Sequence, residues 1–528
     1  MLRIFFISYL LLIVQSSFSQ RNIDIQHYQF ELSLTDQSDT ITGKAIVLVK
    51  FIVAADQFTL DLSSLKAEKG MIVTAVTENN NPVEYSHQQD KISIKLSRKS
   101  KAEETKSFTI DYKGIPADGL IISKNKYGHR TFFADNWPNR GHNWIPCVDD
   151  PADKASVEFI ITAPQHYQVV ANGIQVEETN LPGNKKLTHW KEDVPVATKV
   201  MVIGAADFAV NLAGMIDNCI PVYSWVYPED RDKGFYDFAL AMKIVPFFIN
   251  YIGAYGYKKL AGVQSKTNFG GLENANTIFY NENLVDGTRH SESLQAHKIA
   301  HQWFGNMVTE KSFAHLWLSE GFATYFAILY FEKKYGPDTA AYMLKEDRNQ
   351  VIAFANNSDK TVVDNDLDFM ELLNINSYQK GSWILHMLRR QLGDSVFHKS
   401  IKTYYAAYAG RNADTKDLQK IFEKESGKDL SVFFQQWLYI ANIPTLEVSW
   451  SYLPKEKKVA VIVKQLQKTP FVFPLQIEFK NSAGNSQQKT ISISKREESF
   501  YMPVKEKVIS VISDPDTELL FDGTIEKK

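Results

Sequence analysis

The chain has 528 residues, 44% of them hydrophobic, and its 59 Lys+Arg against 61 Asp+Glu leave a formal charge of -2. At about 100 to 200 residues per domain this length predicts roughly three domains, each large enough for a core of its own. Near-neutral charge offers no basic excess to neutralise phosphates, so no nucleic-acid partner is expected. Two cysteines, Cys147 and Cys219, exclude a disulfide framework and carry no C-x-x-C signature.

Met1 to Gln20 carries one cation, Arg3, then an apolar run from Ile4 to Val14 and a small-x-small site at Ser17-Phe18-Ser19. This pattern predicts a signal peptide over residues 1–19, because the apolar run is far shorter than the ~20 residues that cross a bilayer. No cysteine stands at the cleavage site to take a lipid. The expectation is an exported chain, periplasmic or extracellular, with no stable membrane anchor. That compartment permits a Cys147 to Cys219 disulfide, although the sequence does not place the two together.

From Ile25 to about Val210 apolar and polar residues alternate in short runs, as in Thr42-Gly-Lys-Ala-Ile-Val-Leu-Val-Lys-Phe and Lys91-Ile-Ser-Ile-Lys-Leu. Period-two runs broken by Asn, Asp, Gly and Pro predict an antiparallel, β-rich domain, drawn over residues 20–212. Helical spacing then takes over at Arg231 to Tyr255, Ser291 to Phe304, Leu318 to Tyr335, Asp338 to Ala355, Tyr378 to Leu392 and Thr415 to Glu425, within a module drawn over 213–442. Beyond Pro444 alternation returns in Leu446-Glu-Val-Ser-Trp, Val459-Ala-Val-Ile-Val-Lys and Thr490-Ile-Ser-Ile-Ser, a second sheet module over 443–528. The expected class is multidomain α+β: sheet, mainly helical, sheet. The charged stretch from Arg98 to Lys106 reads as a solvated turn.

Within the helical module lies His297-Lys-Ile-Ala-His301, followed after eighteen intervening residues by Glu320 in Leu318-Ser-Glu-Gly-Phe-Ala. Histidines at i and i+4 share one helical face, so both rings can reach one metal ion. A carboxylate from a following helix would complete a set of three and leave a fourth position open, as catalytic zinc sites require.

These residues resemble the zinc signature H-E-x-x-H-x18-E of the aminopeptidase N (membrane alanyl aminopeptidase) family of gluzincin metallopeptidases. Upstream, Gly270-Gly-Leu-Glu-Asn274 looks like the family's G-x-M-E-N motif, with Leu272 in place of Met; downstream, Tyr378-Gln-Lys-Gly-Ser is similar to the segment holding its catalytic tyrosine. Further echoes are Trp144-Ile-Pro-Cys-Val-Asp-Asp-Pro and Ser426-Gly-Lys-Asp-Leu-Ser-Val-Phe-Phe-Gln-Gln-Trp. The resemblance implies a β-rich amino-terminal domain, a thermolysin-like catalytic domain and a carboxy-terminal β-sandwich, without the long helical domain that many members add. It implies one zinc ion held by His297, His301 and Glu320, and as substrates peptides with a free N-terminus. Glu273 would bind the substrate's α-ammonium, a charge-assisted pair that an internal peptide bond cannot offer. Gly270 and Gly271 would let substrate backbone approach beside Glu273 and Asn274. Tyr378 would donate its hydroxyl to the oxyanion that develops during attack.

One residue departs from the pattern. Where the family has the glutamate that takes a proton from the attacking water, this chain has Lys298. A lysine with an ordinary pKa of about 10.4 has no lone pair to accept that proton at neutral pH. At ~5 Å from a divalent cation and an effective dielectric near 20, its charge is repelled by roughly 6 to 7 kcal/mol. Lys298 is therefore expected to turn away, to pair with Glu273 or another carboxylate, or to lose its proton. Two functions follow: a zinc aminopeptidase with strongly reduced turnover, or a non-catalytic pseudo-peptidase that keeps zinc or peptide binding. His315, where many members have an acid, is expected to pack or to make a surface hydrogen bond.

Overall fold

Along Ile41–Phe51 every second residue is buried, and the inward set of Ile41, Ala45, Val47, Val49 and Phe51 is fully enclosed. Each large side chain so covered contributes about 1.5–3 kcal/mol, which holds the strand in one register. The computed structural model describes residues 22–528; the signal-peptide segment lies outside them. Ile41–Phe51 sits inside an eight-stranded sheet, between Ile23–Ser33 and Glu104–Ile115. Ile23–Ser33 also pairs in parallel with Lys154–Pro164. A four-stranded and a three-stranded sheet complete the amino-terminal region. The stretch from Arg98 to Lys106 is a mostly exposed turn as far as Glu103, as expected, and then enters the sheet, where Lys106 is buried against Glu78 at 2.7 Å.

The helical module contains a mixed five-stranded sheet that the helical periodicity conceals. Its order is Ala209–Ile216, Ile220–Val226, Leu260–Ser265, Thr277–Asn281 and Gly271–Leu272. Ala209–Ile216 straddles residue 212 and pairs along its length with Ile220–Val226. Gly271–Leu272 is an edge strand, held only by Thr277–Asn281, so its outer side is open to whatever enters the cleft.

Helix α1 (Glu292–Ala300) packs against that edge, α2 (Trp317–Tyr335) packs on α1, and α3 (Gly381–Leu392) packs on α2. Helix α2 is buried on nearly every side from Trp317 to Tyr330, as a helix at the centre of a core must be. Gly336 ends it at φ +97 and Pro337 starts the next helix, Pro337–Ala355. Sequence periodicity did not mark Asp394–Tyr408 or Ser431–Tyr439, both of which are helical.

The carboxy-terminal region is a β-sandwich of a four-stranded and a three-stranded sheet. Arg348 docks it through Asp514 at 2.5 Å, and Lys380 donates to the carbonyls of Ile440 and Ala441 at 3.1 and 3.0 Å. Cys147 is buried, Cys219 is exposed, and both are free thiols.

His386 of α3 ties the same two regions. Its Nε2–H donates to the Thr517 carbonyl at 2.8 Å, and the Tyr325 hydroxyl donates to its Nδ1 at 3.1 Å. Burial pushes the ring down to about 3. An unfolded histidine titrates near 6.5, so the unfolded chain binds the extra proton first and stability falls as pH drops from 6.5 towards 3. By pH 5 the loss is on the order of 1–2 kcal/mol. Urea unfolding at pH 7 and pH 5 should show it, and His386→Gln should flatten the dependence; an unchanged slope in the variant would contradict this assignment.

Candidate metal centre and peptide cleft

Helix α1 carries His297 in its last turn and ends at Ala300, one residue before His301. The expected continuation to Phe304 is replaced by a tight turn, in which Gly305 adopts φ +112. A Cβ on Gly305 would lie 2.3 Å from Ser319 Oγ and 3.1 Å from His301 Nδ1. A glycine is therefore required for the turn to fold under the imidazole.

His297, His301 and Glu320 converge, with ligand atoms all within 4.8 Å of one another. The two Nε2 atoms are 3.0 Å apart, and Glu320 Oε2 is 3.2 Å from that of His297 and 3.1 Å from that of His301. A tetrahedral zinc with bonds of about 2.0–2.1 Å needs ligand atoms about 3.3–3.4 Å apart, close to this spacing.

Protonation supports the same fit. His301 Nδ1 lies 3.1 Å from the Phe304 carbonyl oxygen, which can only accept, so Nδ1 holds the proton and Nε2 presents a lone pair. Thr324 spends its hydroxyl proton on the Glu320 carbonyl at 2.8 Å and can only accept from His297 Nδ1 at 3.5 Å. His297 Nε2 is thus also unprotonated, and burial presses that ring down to about 4. Two lone pairs and a carboxylate oxygen facing one point form a donor set that fits a single divalent cation.

Glu273 follows the edge strand Gly271–Leu272 and is 5% exposed. Its backbone is pinned by Asn306, whose Nδ2 donates to the Glu273 carbonyl at 2.6 Å, and by Gln302 at 3.1 Å. Asn274 is buried beside it, and Gly270 accepts from the Asn281 amide at 3.0 Å. Lys298 projects from α1 towards this strand and places Nζ 2.7 Å from Glu273 Oε2. Of the three outcomes open to Lys298, pairing with Glu273 is the one observed. Burial opposes both charges, yet the surrounding charges, the partner's foremost, hold the Glu273 carboxyl below its usual range and Lys298 above its own, Glu320 adding to the effect on the lysine.

Tyr378 sits on a π-helical turn, Asn376–Lys380, that leads into α3. Such turns recur at functional sites because they re-aim one side chain. Its ring stacks over His297, with centroids 6.0 Å apart and planes at 13°. Burial raises the hydroxyl well above 10, with Glu320 adding to the effect, so it remains a proton donor. The turn reaches α2 because two glycines meet: a Cβ on Gly321 would lie 2.9 Å from the Gly381 backbone. Tyr378, Glu320, His297, Lys298 and Glu273 line one cleft of about 630 Å³, with Trp137, Phe269, Leu272, Leu284, Leu294 and Leu373 as its apolar wall. Trp137 comes from the amino-terminal region and packs edge-on against Phe269.

His315 lies away from the triad, hydrogen-bonded to Thr415 Oγ1 at 2.9 Å. Ser319, Thr324, Gln302 and Asn306, which orient the imidazoles and Glu273, gave no spacing signal in the sequence. Gln379 was equally silent; its Oε1 is buried on the cleft wall without a partner among the described residues.

An edge strand with a buried glutamate, a helix-borne histidine pair and a glutamate on the next helix define a metallopeptidase-type architecture. Residues 236–437 match the family model described as the Peptidase family M1 domain, and residues 25–200 match the Peptidase M1 N-terminal domain. The chain belongs to peptidase family M1. It is 27% identical over 427 residues to endoplasmic reticulum aminopeptidase 2 of Bos taurus, covering 74% of this chain and 44% of that protein. It is 26% identical over 358 residues to aminopeptidase M1 of Arabidopsis thaliana, covering 62% of this chain and 40% of that protein. The chain thus spans about half the length of the curated relatives it matches. Its fold is similar to that of an M1 zinc metallopeptidase mutant from Deinococcus radiodurans, with a TM-score of 0.68 and 22% identity over 79% of this chain and 95% of that one.

Two outcomes test the centre. His297→Ala, His301→Ala or Glu320→Ala should each abolish stoichiometric zinc retention in metal analysis after gel filtration, while His315→Ala should keep it; retention by the triad variants would contradict the ligand set. Gly321→Ala should cost roughly 1–3 kcal/mol in urea unfolding, because backbone must move to admit the methyl group; an unchanged midpoint would contradict the close approach of α2 and α3.

Proposed function

We propose that this chain is a zinc-binding member of family M1 of the aminopeptidase type, in which hydrolysis is strongly reduced by Lys298. The observation that carries this reading is the Lys298–Glu273 pair at 2.7 Å. It sets a cation where the reaction calls for a base, and neutralises the carboxylate suited to a substrate's α-ammonium.

His297, His301 and Glu320 would hold one zinc ion, which when bound supplies a Lewis acid that activates water and polarises the scissile carbonyl. The surrounding residues perform separable tasks. Tyr378, kept protonated by burial, donates towards the carbonyl oxygen as negative charge develops there. Gly270 and Gly271 leave the strand edge free of side chains, so an extended peptide can lie along it. Peptides with a free N-terminus are the proposed substrates: their ammonium competes with Lys298 for Glu273, and turnover proceeds only when it wins. No residue lining the cleft stands in as an uncommitted carboxylate base, since Glu273 and Glu320 are its only acids among the described residues.

The same ion pair favours a second reading, in which the chain is a pseudo-peptidase that keeps zinc and a peptide-shaped cleft for capture. The leader-like segment at residues 1–19 supports export, with action in the periplasm or outside the cell. Among the described residues no helix is long and apolar enough to cross a membrane.

An aminoacyl-arylamide assay with zinc analysis, run on the chain beside Lys298→Glu, tests the proposal. Restoring a base should raise turnover by about 10² to 10⁴. Equal turnover in the two proteins would overturn the role given to Lys298, and absence of zinc from both would overturn the metal centre.

A further inference from the structure

Lys298 does more than remove a base, because its side chain runs beside the edge strand and ends on the carboxylate proposed to anchor a peptide amino terminus. A Cβ built on Gly271 would meet Lys298 Cγ at 3.5 Å, so the lysine stem runs alongside the bare edge strand at about the distance a side chain there would fill. From there the ammonium reaches Glu273 Oε2 at 2.7 Å, with the two side chains only 10% and 6% exposed. An alkyl stem beside a glycine edge, ending in an ammonium on a buried carboxylate, copies the first residue of an amino-terminal peptide. No second anchor is available: the other cleft-lining carboxylate, Glu320, is committed to the histidine pair. A substrate ammonium arriving while Lys298 is in place would put two buried cations on one carboxylate, at the cost of desolvating the second without a partner.

We propose that Lys298 is a built-in occupant of the amino-terminal anchor, so that the free-amine substrates bind weakly and the cleft is held more tightly by peptides whose amino terminus carries no charge, such as N-acylated peptides with an apolar first side chain, which act as ligands that leave Lys298 on Glu273 rather than as substrates. The acyl group needs no carboxylate and meets the Lys298 stem and the apolar wall of Trp137, Phe269, Leu284, Leu294 and Leu373. Lys298 thereby sets specificity at the position that in an unobstructed cleft would select for a free terminus. This inference rests on the reading of the cleft as a peptide site, and it is independent of whether hydrolysis occurs.

Titration calorimetry with Leu-Phe amide and N-acetyl-Leu-Phe amide tests it, on the full chain both loaded with zinc and treated with chelator. The chain should bind the acetylated peptide at least tenfold more tightly in both states. Lys298→Met, which keeps the stem and removes the charge, should reverse the preference to tenfold or more for the free amine. Lys298→Gln serves as the second variant if circular dichroism shows the first to be unfolded. A chain that prefers the free amine, variants that leave the preference unchanged, or failure of both peptides to bind chain and variants alike would overturn the proposal. If the chain holds no zinc yet keeps the acetyl preference, the hydrolytic reading fails while this one stands.

Discussion

A buried ammonium beside a metal-ligand triad must be neutralised, and the site is arranged around how this chain does it. Lys298 cannot face the triad, where a divalent cation would repel it, and it cannot remain unpaired at this depth without a penalty of several kcal/mol. Glu273 is within reach because the lysine stem runs beside Gly271, where a Cβ would stand 3.5 Å from Lys298 Cγ, and ends at the carboxylate 2.7 Å away. The pair satisfies both charges within the wall of the cleft. On the proposed function, it also takes up the two groups that peptide chemistry at an amino terminus would use, one by substitution and the other by occupancy.

The surrounding scaffold is organised for rigidity. Helix α2, apolar on nearly all sides, fixes Glu320 against α1, while the contact of Gly321 with Gly381 brings the π-helical turn and Tyr378 to the same point. Gly305 lets the chain turn beneath His301 so that the Phe304 carbonyl sets its tautomer. Gln302 and Asn306, on that same turn, hold the Glu273 backbone from behind. One short loop therefore orients both His301 and the Glu273 backbone.

Much of this was legible before any coordinates. Alternating runs such as Thr42 to Phe51 announce strands because one face must be buried, and the spacing of His297, His301 and Glu320 announces a metal because few other purposes need it. The mixed sheet inside the helical module was hidden, since Leu260–Ser265 and Thr277–Asn281 are short and buried on both faces and show no period. Gly271–Leu272 is too brief to show any. The partners Ser319 and Thr324 are small polar residues whose value lies wholly in where they point. The identity of Lys298 was visible and its repulsion from a metal calculable. The choice among turning away, pairing and deprotonating was not, because it depends on the distance from α1 to an edge strand some 25 residues earlier in the chain.

The most direct measurement is a high-resolution crystal structure of the zinc-loaded chain without added peptide. The account requires zinc on His297, His301 and Glu320 with the Lys298 ammonium still hydrogen-bonded to Glu273. A structure in which zinc is bound and Lys298 has swung out of the cleft, leaving the Glu273 carboxylate open to solvent, would contradict it.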